Sequence, residues 1–285
     1  VVGLIVRILV AGGTGVLGSR ISDSLVAVGH QVTATSRHPE HVVPQQGIEL
    51  RAMDAFDADQ VRQVVADSAP DVIVHQLTDL GGKDSGANAD IRRVGTRNLI
   101  DAAHAAGVES IIAQSISWAY EGTGRPAVES DPLDLSAHGP RAVTVGGVHA
   151  LESAVRELPH HVILRYGTLY GPRTWYARDG DIAAQAHAGR LVPANALTCF
   201  VHVDDAVAAA VAALGWPSGA VNVADDDPAA DTEWIPAFCR AVGAPVPEEI
   251  RFETPPTGSA LETAKASSLG WSPVHSSWRE SLGRS

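Results

Sequence analysis

Lysine is nearly absent from this chain of 285 residues: Lys83 and Lys265 stand alone, and the formal net charge is −12. With no basic stripe and no basic run interleaved with aromatics, the electrostatic footprint of a nucleic-acid binder is missing, so nucleic acid is not an expected partner. Cysteine is as scarce. Cys199 and Cys239 are too few and too far apart for a disulfide framework or a zinc site, and two ordinary thiols in a reducing cytoplasm are expected. The twelve histidines show no H-E-x-x-H or similar spacing, so no metal is expected either. Long apolar runs are lacking too. The opening VVGLIVRILV is short, has no basic region ahead of it and runs straight into a glycine turn; it reads as a first strand, with no membrane partner. Four Phe and one Met leave the core to Val, Ile, Leu and Ala, and 45% hydrophobic residues suffice to fill one.

What the chain has instead is a strand, a glycine-rich turn, a helix and a second strand in RILVAGGTGVLGSRISDSLVAVGHQVTATSR, Arg7 to Arg37. Gly12, Gly15 and Gly18 form a G-x-x-G-x-x-G turn. The first glycine bends the chain tightly, the second lets the backbone approach a pyrophosphate, and the third packs helix against strand. The N–H groups opening the helix supply the anion site. Leu17, Ile21, Leu25 and Val28 at helical spacing, between the strands Ile8 to Ala11 and Gln31 to Thr35, separate this segment from a glycine triplet that merely starts a helix. It reads as a dinucleotide-binding unit, with Gly12, Thr14, Gly15, Val16, Leu17 and Gly18 as cofactor contacts and Gln76 and Leu77 as further ones. At the end of the second strand stands Ser36-Arg37 and no carboxylate, so a ribose 2′-phosphate is favoured over a free hydroxyl: NADP(H) is expected ahead of NAD(H). The alternative for Arg37 is a solvated surface side chain. Asp54 either touches the adenine edge or caps the helix that begins near Asp57.

Strand and helix alternate through the first half. A helix over Asp57 to Ser68, the β-branched strand Asp71 to His75, a loop over Gly81 to Gly86, a helix over Ile91 to Ala106 and the strand Ser110 to Ser115 are predicted. This is the pattern of a doubly wound parallel sheet with ligands off the carboxyl ends of its strands. The second half alternates more loosely: helix Val145 to Leu158, strand His161 to Arg165, helix Asp179 to Ala188, the apolar stretch Thr198 to Val203, helix Asp204 to Leu214, strand Val221 to Ala224, helix Thr232 to Val242 and a proline-broken tail.

Five blocks in this order resemble the NAD-dependent epimerase/dehydratase group of extended or atypical short-chain dehydrogenases/reductases: GGTGVLG at Gly12 to Gly18, GTRNLIDAA at Gly95 to Ala103, LRYGTLYGPR at Leu164 to Arg173, FVHVDDAVAA at Phe200 to Ala209 and LGWSP at Leu269 to Pro273. The resemblance implies an α/β fold, a Rossmann-type doubly wound parallel sheet with a smaller C-terminal substrate-covering region. Residues 1–165 would form the dinucleotide-binding domain, and 166–285 would complete it and build a small cap over a small-molecule substrate. A homodimer is one assembly to test. The block matching Arg165 to Gly171 would line the nicotinamide side, while Asp204 is read as an N-cap rather than a catalytic acid.

The catalytic pattern of that family then fails. Its Tyr-x-x-x-Lys pair, in which the lysine lowers the tyrosine's pKa, has no counterpart: the residues four beyond Tyr120, Tyr166, Tyr170 and Tyr176 are Gly124, Tyr170, Thr174 and Gly180. Counting back from Glu152 places Thr144 and Val148 at the two positions. QSISWAY at Gln114 to Tyr120 resembles the serine-bearing strand end, with Ile116 at the serine's place between Ser115 and Ser117. Ser115, Ser117, Tyr120 and Tyr166 are therefore the candidate catalytic hydroxyls. Each has a plain structural reading beside it: hydroxyls satisfying backbone, or an aromatic packed on the loop. His149 is a weaker candidate acid read as a surface histidine, and His75 and His202 read as core histidines. Three functions stay open: an NAD(P)-dependent oxidoreductase or epimerase/dehydratase acting on a small polar or polyketide-like molecule with an unusual proton donor, a dinucleotide-binding sensor or scaffold, and a non-redox cyclase, dehydratase or isomerase.

Overall fold

The structure, a computed structural model, describes residues 5–43, 45–79, 85–122 and 124–282. The chain divides into two compact units, one built from 1–115, 133–164 and 210–220 and the other from 116–132, 165–209 and 221–285. In chain order the elements are β1 (Arg7–Ala11), α1 (Val16–Ala27), β2 (Gln31–Ser36), β3 (Ile48–Ala52), α2 (Ala58–Ser68), β4 (Val72–His75), α3 (Ser85–Asp90), α4 (Thr96–Ala106), β5 (Ser110–Ile116), α5 (Gly139–Val155) and β6 (His160–Tyr166). They continue as β7 (Thr168–Tyr170), α6 (Asp181–His187), β8 (Leu197–Thr198), β9 (Phe200–His202), α7 (Val203–Ala212), β10 (Gly219–Val223), β11 (Ala229–Ala230), α8 (Asp231–Val242), α9 (Ala264–Ser268) and α10 (Trp278–Ser281). Among the described residues no helix is long and apolar enough to cross a membrane.

A seven-stranded sheet runs in the order β10-β6-β5-β4-β1-β2-β3. β1 pairs in parallel with β2 on one side, Ile8 opposite Val32, and with β4 on the other, Val10 opposite Val74. The chain thus leaves β1 in one direction and returns on its far side, which makes the β1–β4 boundary the point where strand order reverses, the place at whose carboxyl ends doubly wound sheets bind ligands. Central strands such as Ile8–Ala11 and Ile73–His75 are buried at every residue, as helices on both faces require. α2, capped by Asp57 accepting from Asp59 N and Gln60 N, presents Val61, Val64 and Val65 to a core shared with Ile73, Leu99, Ile100 and Ile111.

Three expected elements differ in detail. The helix expected over Ile91 to Ala106 is a π-helical stretch Ile91–Gly95 followed by α4, with α3 preceding it; in the π-helical stretch Gly95 lies against Ala55, where a Cβ would lie 3.1 Å from the alanine's own. Most of the loop expected over Gly81 to Gly86 falls outside the described residues, and Gly86 belongs to α3. α5 begins at Gly139, ahead of the expected Val145, because Pro140 stands in its first turn where a missing N–H costs nothing.

In the second unit, β7 pairs with β9 in parallel and β8 with β11 antiparallel. Its core is aromatic: Phe200 is ringed by Tyr170, Tyr176, Trp234 and Trp278 at centroid distances of 5.5–6.1 Å. α7 starts at Val203, so Asp204 lies inside its first turn and is not the N-cap expected from sequence; its own N–H donates to His202 Nδ1. The neighbour Asp205 does the anchoring. Buried at 2% exposure, its carboxylate accepts from Val274 N at 2.8 Å and His275 N at 3.0 Å, and its carbonyl accepts from Trp271 Nε1 at 3.2 Å, fixing the LGWSP block to this unit.

Asp205→Ala removes two charge-assisted hydrogen bonds from a buried carboxylate to the backbone of residues 274 and 275, an expected loss of about 3 kcal/mol in urea unfolding. Asp204→Ala is expected to cost less than about 1 kcal/mol, the scale of a helix-end charge. Equal losses at the two positions would contradict the assignment.

Candidate functional site

The three glycines of the turn have separable constraints. Gly12 adopts φ +82°, and a Cβ there would lie 2.7 Å from the Gln76 carbonyl oxygen; a Cβ on Gly18 would run into Gly12 O. Both are fixed by packing. Gly15 is different: it is exposed, has an ordinary φ of −69°, and a Cβ on it would meet only Gly12 O, at 3.4 Å. Nothing in the fold needs a glycine there, so the space above it is free for a ligand. Gly15 also opens α1 with no side-chain cap and no acidic residue in the first turn, leaving the helix's leading N–H groups for an anion. Thr14 and Val16 flank it half-buried, while Leu17 is core.

At the end of β2, Ser36 Oγ accepts from His38 N, and Arg37 Nη1 stands 3.7 Å from Asp79 Oδ2. The guanidinium is about half exposed, and its partner carboxylate comes from beyond β4 rather than from β2 itself. Asp54 does not cap α2, which Asp57 does; its Oδ1 holds Phe56 N in a local turn and its own N–H donates to Gln60 Oε1. At the end of β4, His75 is fully buried, Nε2 against Thr96 Oγ1 at 2.8 Å and Nδ1 accepting from Leu77 N, and burial pushes its pKa down to about 4. Beside it Gln76 is 5% exposed, and neither its Oε1 nor its Nε2 has a hydrogen-bond partner. An uncapped helix N-terminus, a glycine with open space above it and an orphaned buried amide all suit a polar, phosphate-bearing ligand at these strand ends.

Three of the four candidate catalytic hydroxyls, those of Ser115, Tyr120 and Tyr166, are hydrogen-bonded inside the protein. In the first unit Ser115 Oγ donates to Glu152 Oε1 at 2.8 Å, and Glu152, fully buried, also pairs with Arg156 at 2.9 Å. In the second unit Ser117 is buried in a single helical turn over Ser117–Ala119. Tyr120 donates to Asn222 Oδ1 at 2.6 Å, and the Arg165 guanidinium lies 4.7 Å above its ring. Asn222 in turn donates to Ala127 O and Glu262 O, so the phenol is tied into a closed internal network. Tyr166 donates to Ala206 O at 3.3 Å, and burial raises its pKa far above the usual phenol value, which makes it a poorer acid still. Thr144, at the family's tyrosine position, donates to Pro140 O of its own helix, and Val148 is buried at 1% exposure. His149 is exposed.

One group that sequence reasoning missed is Asp225, just after β10. It is 4% exposed, Oδ1 accepts from Asp227 N, Oδ2 has no partner, and burial raises its pKa from 3.8 to about 8. Its position in the run Asp225-Asp226-Asp227 reads as a solvated acidic turn, and only its burial, with its own N–H bonded to Phe200 O at 2.7 Å, gives it away.

Gly15→Ala is expected to fold with wild-type stability and to lose dinucleotide binding in fluorescence titration, whereas Gly12→Ala is expected to destabilise by more than about 1 kcal/mol. Dinucleotide binding retained by Gly15→Ala would exclude the turn as the phosphate site. For Asp225, the folded chain holds a proton between pH 3.8 and about 8 that the unfolded chain has released, so wild-type stability falls as pH rises through that window. Asp225→Asn should match wild type near pH 4 and exceed it at pH 8.5 in thermal unfolding; parallel profiles would mean that the carboxyl titrates normally.

Known proteins are similar to this chain over most of its length. A family model described as the NAD dependent epimerase/dehydratase family matches residues 8–224. A 3-diazoavenalumate denitrifying reductase from a Streptomyces species is 39% identical over 98% of this chain and 99% of its own. A UDP-glucose 4-epimerase of Mycolicibacterium smegmatis is 29% identical over 94% of this chain and 93% of its own. Among solved structures, the Thermus thermophilus UDP-glucose 4-epimerase in complex with NAD superposes with a TM-score of 0.73 at 26% identity, covering 94% of each chain. With the Rossmann-type sheet, the glycine turn and these likenesses together, the chain belongs to the NAD-dependent epimerase/dehydratase family.

Proposed function

We propose that this protein is a nicotinamide-dependent reductase, with NADP(H) as the preferred cofactor, whose acceptor takes a hydride without needing a proton donor. The observation that carries the reading is the pair Thr144 and Val148 where the family's tyrosine and lysine stand, together with the internal engagement of Tyr120, Tyr166 and Ser115. A carbonyl reduced to an alcohol develops an alkoxide that must be protonated, and a sugar hydroxyl oxidised in an epimerisation must lose a proton; both need a positioned acid or base, worth on the order of 10² to 10⁴ in rate. An arenediazonium ion needs neither. Replacing its C–N bond by C–H consumes one hydride and releases dinitrogen, and no oxyanion forms. The Streptomyces relative's name describes that kind of chemistry on a diazo compound. Arenes are the fitting class, because alkyl diazonium ions lose nitrogen in water too quickly to reach an enzyme.

When bound, the nicotinamide supplies the hydride. This chain's own contribution is to hold the dinucleotide at Gly12 to Gly18, to meet the adenosine ribose with Ser36 and Arg37, and to keep its buried phenols from acting as general acids. Arg37 supports NADP(H) as a guanidinium at the end of β2 with no carboxylate on that strand. Asp79 is a competitor that a 2′-phosphate would displace from it.

Incubation with NADPH and a simple arenediazonium salt is expected to oxidise one NADPH per dinitrogen released, with ketones and UDP-sugars turned over at least about 100-fold more slowly. NADPH is expected to bind more tightly than NADH, and Arg37→Asp to reverse the order. Fast ketone reduction, or sugar epimerisation with no net oxidation of cofactor, would contradict the proposal.

A further inference from the structure

Arg92 is the unexplained charge of the first unit. It is 5% exposed, and among the described residues no hydrogen bond or ion pair reaches its guanidinium. Burial brings its pKa down to about 10, so it is still a cation at neutral pH. The residue stands in the π-helical stretch Ile91–Gly95, which continues α3 into α4 with helical backbone at both junctions. At helical spacing on either side of it are Asn88 and Thr96, and both are tied to the end of β4: Asn88 Oδ1 accepts from Asp79 N at 3.0 Å, and Thr96 Oγ1 meets His75 Nε2 at 2.8 Å. Arg92 lies between them on that face, and after burial its charge is the next influence lowering the pKa of His75. The carboxylate of the same segment, Asp79, turns to Arg37 instead. An arginine kept from water with no counter-charge is costly, because its hydration has been given up with nothing in exchange. In contrast to the amide of Gln76, none of its nitrogens is both unpaired and sealed from solvent, so an anion can reach it.

We propose that Arg92 anchors a carboxylate on the acceptor, which makes the substrate of this chain an acidic arene rather than a neutral one. The proposal rests on the reading of the protein as a nicotinamide-dependent reductase of arenediazonium ions, and it adds the charge that the substrate carries. A guanidinium offers parallel N–H donors that match the two oxygens of a carboxylate, and such charge-assisted pairs are stronger than neutral ones. The dinucleotide's pyrophosphate has a holder of its own in the uncapped N-terminus of α1 and the open space at Gly15, so the cofactor does not need Arg92. An arenediazonium ion without an acid group brings a second positive charge toward the guanidinium and is repelled. A carboxylate on the same molecule turns that repulsion into a pairing and leaves the diazonium end for the hydride.

Equilibrium titration in the presence of NADPH with benzoate and 3-phenylpropanoate, each beside its neutral amide, tests the anchor without turnover. At least one of the two carboxylates is expected to bind about 10-fold more tightly than its amide, with the preference abolished in Arg92→Met and partly restored in Arg92→Lys. Arg92→Met is also expected to keep the Kd for NADPH within about 2-fold and to unfold at or above the wild-type Tm, since an uncompensated buried charge has been removed. Carboxylates and amides bound alike by the wild type, or a preference that survives in Arg92→Met, would overturn the proposal. So would a Kd for NADPH raised about 10-fold, a Tm several degrees lower or failure to fold, which would show that the guanidinium serves the cofactor or the fold. The anchor and the reductase fail separately. A carboxylate preference lost in Arg92→Met, with no arenediazonium reduced, leaves the anchor and removes the reductase; benzenediazonium and 4-carboxybenzenediazonium reduced at equal kcat/KM remove the anchor alone.

Discussion

The constraint on which the first unit depends is the close approach of the Gly12 backbone to the peptide joining Gln76 and Leu77. No side chain larger than hydrogen fits at Gly12, and Gly18 must let the α1 backbone close over the same turn. That contact fixes α1 over the β1–β4 boundary, points its uncapped N-terminus at the carboxyl ends of the strands, and leaves Gly15 facing outward with room above it. The geometry that makes the turn compact is also the one that leaves the leading N–H groups of α1 uncapped, the arrangement an anion site requires.

The second unit is held by other means. An aromatic ring around Phe200 and the Asp205 carboxylate clamping residues 274 and 275 give it a core and an anchor of its own. Its polar side chains are paired inward, with Tyr120, Asn222, Glu129 and Arg165 forming one network: Asn222 N donates to Glu129 Oε1 and Arg165 Nη1 to Glu129 O. An enzyme that used a tyrosine as general acid would need its phenol loosely held and lowered in pKa. Here desolvation acts in the opposite direction on Tyr166. A chemistry that asks for hydride alone reconciles a preserved glycine turn with a missing acid.

Much of the fold was legible because it rests on local signals. Glycine spacing, β-branched runs and helical periodicity in residues 7–115 located most strands and helices, and five short blocks identified the family. What sequence hid was decided by packing at a distance. The π-helical turn at Ile91–Gly95 goes with a contact of Gly95 with Ala55, forty residues away along the chain, and Asp205 rather than Asp204 became the anchor because a segment seventy residues later supplies the donors. That the Gln76 amide is buried and unpaired is a result of packing that periodicity cannot reveal. The buried Asp225 was invisible for the same cause, since its burial belongs to the tertiary structure.

The central claim is that hydride moves from cofactor to acceptor with no proton transfer in the same step. Single-turnover oxidation of NADPH by an arenediazonium, followed in water and in deuterium oxide with protium or deuterium at C4 of the cofactor, tests it most directly. A primary isotope effect from the cofactor with a solvent isotope effect close to one is the predicted result. A solvent effect of two or more on the same step, abolished by Tyr120→Phe, would show a protein proton donor at work and contradict the account.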